Sequence, residues 1–175
     1  MASRKLRGEQ LKFIHENFIR SIMVSNKNKS LFLKLLDYMC EVFDQNHKSF
    51  YDSSIDPKDR IKLVLNDQKN LLLLQTHLLK VWIDFFVQGT KDENINNKMK
   101  FVYQTWRKEV KNIIDDGVKK GVFNKKYAKQ VPFILVGLME GAMTQYINDP
   151  DTFDIEDYFN TSYDIIINLL VTSEN

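Results

Sequence analysis

The stretch NINNKMKFVYQTWRKEVKNIIDDGVKKG, residues 94–121, places Met99, Val102, Tyr103, Trp106, Val110, Ile113, Ile114 and Val118 at steps of mostly three and four. That spacing predicts an amphipathic helix, because residues three and four apart share one face of a 3.6-residue turn. Lys119 and Lys120 followed by Gly121 read as its end. Cations suit the carbonyl pole of a helix, and glycine accepts the left-handed cap.

The same period continues on both sides. Upstream, the segment from His77 to Gln88 carries Leu78, Leu79, Val81, Trp82, Phe85 and Phe86 and is stopped by Gly89 and Thr90. Asp56 before Pro57 reads as an N-cap with proline at the first helical position, opening a helix through Ile61, Val64, Leu65 and Leu71 with a break near Asn70 to Gln75. Residues 28 to 49 hold the stripe Leu31, Phe32, Leu35, Leu36, Met39, Val42 and Phe43. Downstream, Asn124 reads as the cap of a helix that reaches about Ile147 and is expected to bend at Pro132. Asn148, Asp149 and Pro150 make a turn, and Asp154 caps a last helix to about Val171. Glu9 to Ser21, with Leu11, Ile14, Phe18 and Ile22 as its stripe, predicts a further helix near the N-terminus. With proline only at 57, 132 and 150, the predicted class is all-α.

Composition agrees with one compact unit: 175 residues, 43% hydrophobic, 27% charged, six Gly and a single Cys. Cys40 alone makes neither an internal bridge nor a CxxC zinc site, and no cationic, apolar leader opens the sequence, so the expectation is a cytoplasmic protein. The longest apolar run, Leu71 to Leu74, is far below the roughly 20 residues that span a bilayer, and no membrane partner is expected. Net charge is +2, unevenly spread: residues 1 to 30 hold seven Lys or Arg against Glu9 and Glu16, whereas residues 130 to 175 hold eight acids and no base. The basic N-terminus can face phosphates or solvent, and the acidic C-terminus would be repelled by nucleic acid.

An enzyme is not expected. His15, His47 and His77 stand far apart without HExxH or GxSxG, and Asp115 and Asp116 point about 100° apart on a helix. No metal site, cofactor or catalytic residue is predicted.

The last helix bears on assembly. Ile155, Tyr158, Phe159, Ser162, Ile166, Leu169 and Leu170 fall on one side, while Ile165, Ile167 and Val171 widen the apolar surface beyond a single stripe. Gly137 and Gly141 lie four apart, which lets a partner backbone come close. Packing within one chain or a symmetric dimer would each use these residues, and the dimer is the preferred reading, with Gly137, Gly141, Gln145, Tyr158, Ser162, Ile166 and Leu169 as its interface.

From about Asn26 onward, the order of elements resembles the ligand-binding and dimerisation region of TetR-family transcription regulators. Asn28-Lys29-Ser30-Leu31-Phe32-Leu33-Lys34-Leu35-Leu36 is similar to the opening of that family's connecting helix. Trp82-Ile83-Asp84-Phe85-Phe86 and Tyr103-Gln104-Thr105-Trp106-Arg107 resemble pocket helices of the subgroup that includes the betaine-inhibitor repressor. Asp116-Gly117-Val118-Lys119-Lys120-Gly121-Val122-Phe123 resembles the turn before its first dimerisation helix, and Gly137 to Gly141 its glycine-containing interface. The resemblance implies a TetR-like bundle of about seven helices, dimerising through the last two, in a homodimeric regulator that binds a small-molecule effector.

The chain departs from the family near its N-terminus. A helix-turn-helix needs roughly 20 residues between its first helix and the connecting helix, and only Ile22 to Lys27 are available here. Residues 1–27 therefore read as a truncated or degenerate remnant of the DNA-binding domain, natural or otherwise, and 28–175 as the ligand-binding and dimerisation domain. DNA stays a candidate partner for which no recognition helix is found.

Trp82, Phe86, Tyr103, Trp106, Met139 and Met143 fall where the resemblance places a pocket, with His77 available for orientation. Each can equally be core. Together, rings with polar tips and flexible methionines can line a cavity for a mostly apolar or aromatic molecule. The alternative function is a DNA-independent helical interaction dimer or small-molecule-binding dimer.

Overall fold

The computed structural model describes residues 29–44, 50 and 52–171, with the backbone alone at 29–32, 41–44 and 77. Six helices stand among the described residues: α1 (Lys29–Asp44), α2 (Pro57–Leu74), α3 (Thr76–Gly89), α4 (Glu93–Lys119), α5 (Val131–Asn148) and α6 (Ile155–Val171). The helix expected over 9–21 lies outside the described residues, as do the basic residues of the first 28 positions.

Local signals set most boundaries. The Asp56 carboxylate accepts from Lys58 N at 2.8 Å, with Pro57 in the first turn of α2. At Gln75 the chain breaks as expected and bends by 102° between α2 and α3. Asp92 opens α4 by accepting from Asn94 N and Ile95 N at 2.9 and 3.3 Å. Asp154 opens α6, its carboxylate accepting from Asp157 N at 2.9 Å.

The end of α4 is closed by a complete glycine cap. Gly121 has φ +71°, Gly121 N donates to Val118 O, and Val122 N donates to Gly117 O at 2.8 Å. This is the paired bonding of a Schellman motif. It folds Phe123 back onto Gly117, where a Cβ would stand 2.1 Å from Phe123 Cδ2.

The helix after Gly121 does not start at Asn124. The Asn124 carboxamide does accept from Lys126 N at 3.0 Å, but residues 125–130 are turns and α5 begins only at Val131. Pro132 therefore stands in the first turn, where its missing N–H has no partner to lose, so it starts the helix and does not bend it.

The core is built from α2 to α6, with Ile61, Leu72, Phe85, Ile113, Ile114, Leu135, Ile166 and Leu170 essentially fully enclosed, and α1 contributes Leu36 and Met39. Arg60 is a buried cation at the edge of this core, 4% exposed. It donates to Phe50 O at 2.7 Å and to Asp116 Oδ2 at 2.9 Å, and Lys120 reaches the same carboxylate oxygen at 2.9 Å. This pins the stretch before α2 to the end of α4. The Lys120 hydrogen bond holds the Asp116 carboxyl below the usual aspartate range, with Arg60 adding to it.

Candidate functional site

On α4, the long helix quoted first, Ile95, Met99, Val102, Val110, Ile113, Ile114 and Gly117 face the core. Tyr103 and Trp106 flank that stripe and meet α3 and α5. Trp106 stacks on Trp82 with ring centroids 5.3 Å apart and planes at 29°, and Tyr103 meets Trp106 edge-on at 5.9 Å.

The Tyr103 hydroxyl donates to Oε1 of Glu140, which stands on α5 among apolar neighbours. Burial pushes the Glu140 carboxyl above the usual glutamate range, opposed by hydrogen bonds from Tyr103 and Trp82 and by the charge of Arg107. Burial, and then the hydrogen bond to Glu140, push the Tyr103 phenol far above its ordinary value, so it stays a donor at physiological pH. Arg107 lies over the rings of Phe133 and Tyr103, at 4.8 and 6.0 Å from their centroids. Glu140 was missed by the sequence reading, and the one signal for it is a single carboxylate inside the apolar run from Val131 to Met143.

An open cavity of about 670 Å³ lies between α1 and α4. Leu36, Phe101, Val102 and Trp106 are its apolar lining residues, and Asn97, Thr105, Cys40 and the Asp37–Lys98 ion pair complete the lining. The ion pair links the two helices, with side chains 57% exposed for Asp37 and 35% for Lys98.

The residues expected around a pocket are thus partly assembled. Trp82, Tyr103 and Trp106 come together, and Trp106 borders the cavity. Trp82, Met139 and Met143 are buried in the core, whereas Phe86 is 57% exposed on the outer side of α3. The side chain of His77 lies outside the described residues.

The residues expected at a dimer interface divide as well. Ser162 and Ile166 are enclosed by this chain's own core. Tyr158 donates to Leu138 O at 2.9 Å and packs against Phe153 and Phe159, which commits most of it to its own fold. Gly137 and Gln145 are exposed, and Gly141 and Leu169 half-buried. A Cβ on Gly137 would meet nothing within 4 Å, and one on Gly141 would find Tyr158 Oη at 3.7 Å. Ile134 and Ile165, neither of them among the expected interface residues, are 40% and 49% exposed along the same strip.

Residues 57–164 match the family described as BetI-type transcriptional repressor, C-terminal. The chain belongs to this family of TetR-type repressors. A TetR transcription regulator from Haloarcula marismortui ATCC 43049 has the same fold, with a TM-score of 0.73 at 22% identity over 85% of this chain and 82% of that one. No match is found among curated proteins. The BetI-type family is one of transcription regulators and not an enzyme class. Among the described residues no group of three or more His, Cys, Asp and Glu is placed to hold a metal, and no single helix is long and apolar enough to cross a membrane.

Proposed function

We propose that this TetR-family chain is a ligand-responsive regulator in which residues 28–175 bind a small, mostly apolar or aromatic molecule and form a homodimer, while residues 1–27 are a reduced DNA-binding remnant. The observation that carries the proposal is the cavity between α1 and α4, whose lining includes the half-buried Trp106. Its volume of about 670 Å³ lies in the range of small-molecule sites, roughly 300–1,000 Å³. Trp106 is backed by Trp82 and Tyr103, so a planar guest would rest on an already ordered ring and lose little freedom of the protein on binding. An occupant would touch α1, the connecting helix, and would favour whichever placement of α1 it fits better. Ile134, Gly137, Gln145 and Ile165 make up an exposed strip on α5 and α6 that a second copy of the chain would cover, with room for its backbone at Gly137.

Nile red, a neutral planar dye that brightens in apolar surroundings, tests the cavity. The wild-type protein should bind it and change Trp emission, and Thr105→Trp, which fills the space from a half-buried position, should weaken binding at least about tenfold. Absence of binding to the wild type, or equal binding to the filled variant, would overturn the assignment.

A further inference from the structure

The lining of the cavity between α1 and α4 is amphipathic: Leu36, Phe101, Val102 and Trp106 supply apolar surface, and the Asp37–Lys98 ion pair supplies its charge. From this arrangement we infer that its ligand is an amphiphilic monoanion, an aromatic or aliphatic carboxylate whose acid group takes Lys98 from Asp37. The inference rests on the cavity being a binding site and adds the chemical class of what it holds.

An ammonium could in principle take Asp37 from Lys98 instead, and the two partners' surroundings decide between them. Asp37 is 57% exposed, so it passes into water on losing Lys98 and gives up little solvation. Lys98 is the more enclosed partner, at 35%. Displaced by a cationic ligand, it would stay a cation at the wall of the cavity facing another cation. Taken over by a carboxylate, it keeps a charge-assisted hydrogen bond throughout. Its four-carbon stem lets the ammonium follow the ligand inward without moving the helix. On α1, Lys34 one turn before Asp37 is matched by Glu41 one turn after it, whereas on α4 Lys98, Lys100, Arg107 and Lys108 stand with no acid among them, so the fixed charges of α4 favour an anion. Asn97 and Thr105 belong to the same lining and are available to orient a second polar group.

The exchange also has a structural result. Asp37–Lys98 ties α1 to α4, and a bound carboxylate would replace that tie by a bond to the ligand. A neutral ligand in the same cavity would leave the tie in place.

A matched series with one body and three head groups tests this: 4-phenylbutyrate, 4-phenylbutanol and 4-phenylbutylamine, titrated calorimetrically into the full chain near neutral pH. The carboxylate should bind about tenfold tighter than the alcohol, and the amine most weakly. Lys98→Gln should remove the carboxylate's advantage while leaving the alcohol's affinity within about twofold. Asp37→Asn should tighten the carboxylate several-fold, because the ligand no longer competes for Lys98. Both positions are partly exposed, and a circular dichroism spectrum checks that the variants are folded. Equal affinity for acid and alcohol, tightest binding of the amine, or weaker carboxylate binding by Asp37→Asn would each overturn the anion assignment while the cavity stands as a site. Failure of all three compounds and of Nile red to bind would overturn the site itself, and this inference with it.

Discussion

Glu140 is the residue whose chemistry the fold alters most. It sits on the apolar helix α5, and its carboxylate receives Tyr103 from α4 and Trp82 from α3, so one side chain joins three helices. Because burial raises its folded pKa above the unfolded one, the charged form is the disfavoured form. The linked stability is present in full below the ordinary glutamate value and is lost as pH rises through the raised folded value. Glu140→Gln keeps an acceptor for Tyr103 without the charge. It should flatten the rise in stability toward acid and leave the variant at least as stable as wild type at neutral pH, measured by urea unfolding from about pH 4 to about pH 8. A variant that is less stable and equally pH-dependent would show that the carboxylate's charge is not the cost. Sequence reading missed Glu140 because its partner, Tyr103, is 37 positions away. A lone Glu on a helix ordinarily points to solvent, and the pattern of neighbours gives no hint that another helix covers it.

Helices were legible where their signals were local. Asp56-Pro57, the break at Gln75 and Lys119-Lys120-Gly121 each act through the adjacent backbone, and each appears where the residues require it. Pro132 was misread because Asn124 does cap a turn, and only the intervening chain, held by Asn124 N donating to Leu170 O at 2.8 Å, makes that turn separate from α5. Facing was harder still. Ser162 and Ile166 share an apolar stripe with residues that look outward, and which edge of a wide stripe meets the core depends on where α2 and α5 lie. The docking of Phe123 on Gly117 is likewise a tertiary fact, although its cap was readable. Gly117→Ala should cost about 2 kcal/mol in thermal or urea unfolding, since the methyl must displace a buried ring. Phe123→Leu in the same background should recover part of the loss. Additive losses would mean that the ring is not what the methyl strikes.

For the molecule as a whole, the class and the bundle were legible because six helical periods separated by recognisable stops leave few other ways to bury the apolar faces. The placement of the cavity was not, since it depends on how far α1 stands from α4, and no residue spacing encodes that distance. The exposed strip on α5 and α6 gives a direct test of assembly. A Cβ at Gly137 has open space around it, so Gly137→Phe on this exposed face should leave the monomer fold intact, while placing a ring where a second backbone would lie. If the strip is the dimer face, the mass in solution at micromolar protein should fall from dimer to monomer with the helical spectrum unchanged. An unchanged dimer mass would place the interface elsewhere, and a monomeric wild type would remove it.

The contrast between these glycines reaches beyond any one variant. At Gly117 the first side-chain carbon already strikes the Phe123 ring, whereas at Gly137 it meets nothing of the same chain. A library saturating both positions, sorted first for soluble folded protein and then for dimer formation, should therefore lose its bulkier Gly117 variants at the first sort. It should keep its Gly137 variants until the second. Purifying selection on the family would leave the same mark at the two sites for different reasons, and only the stage at which variants disappear can tell a glycine kept for folding from one kept for company.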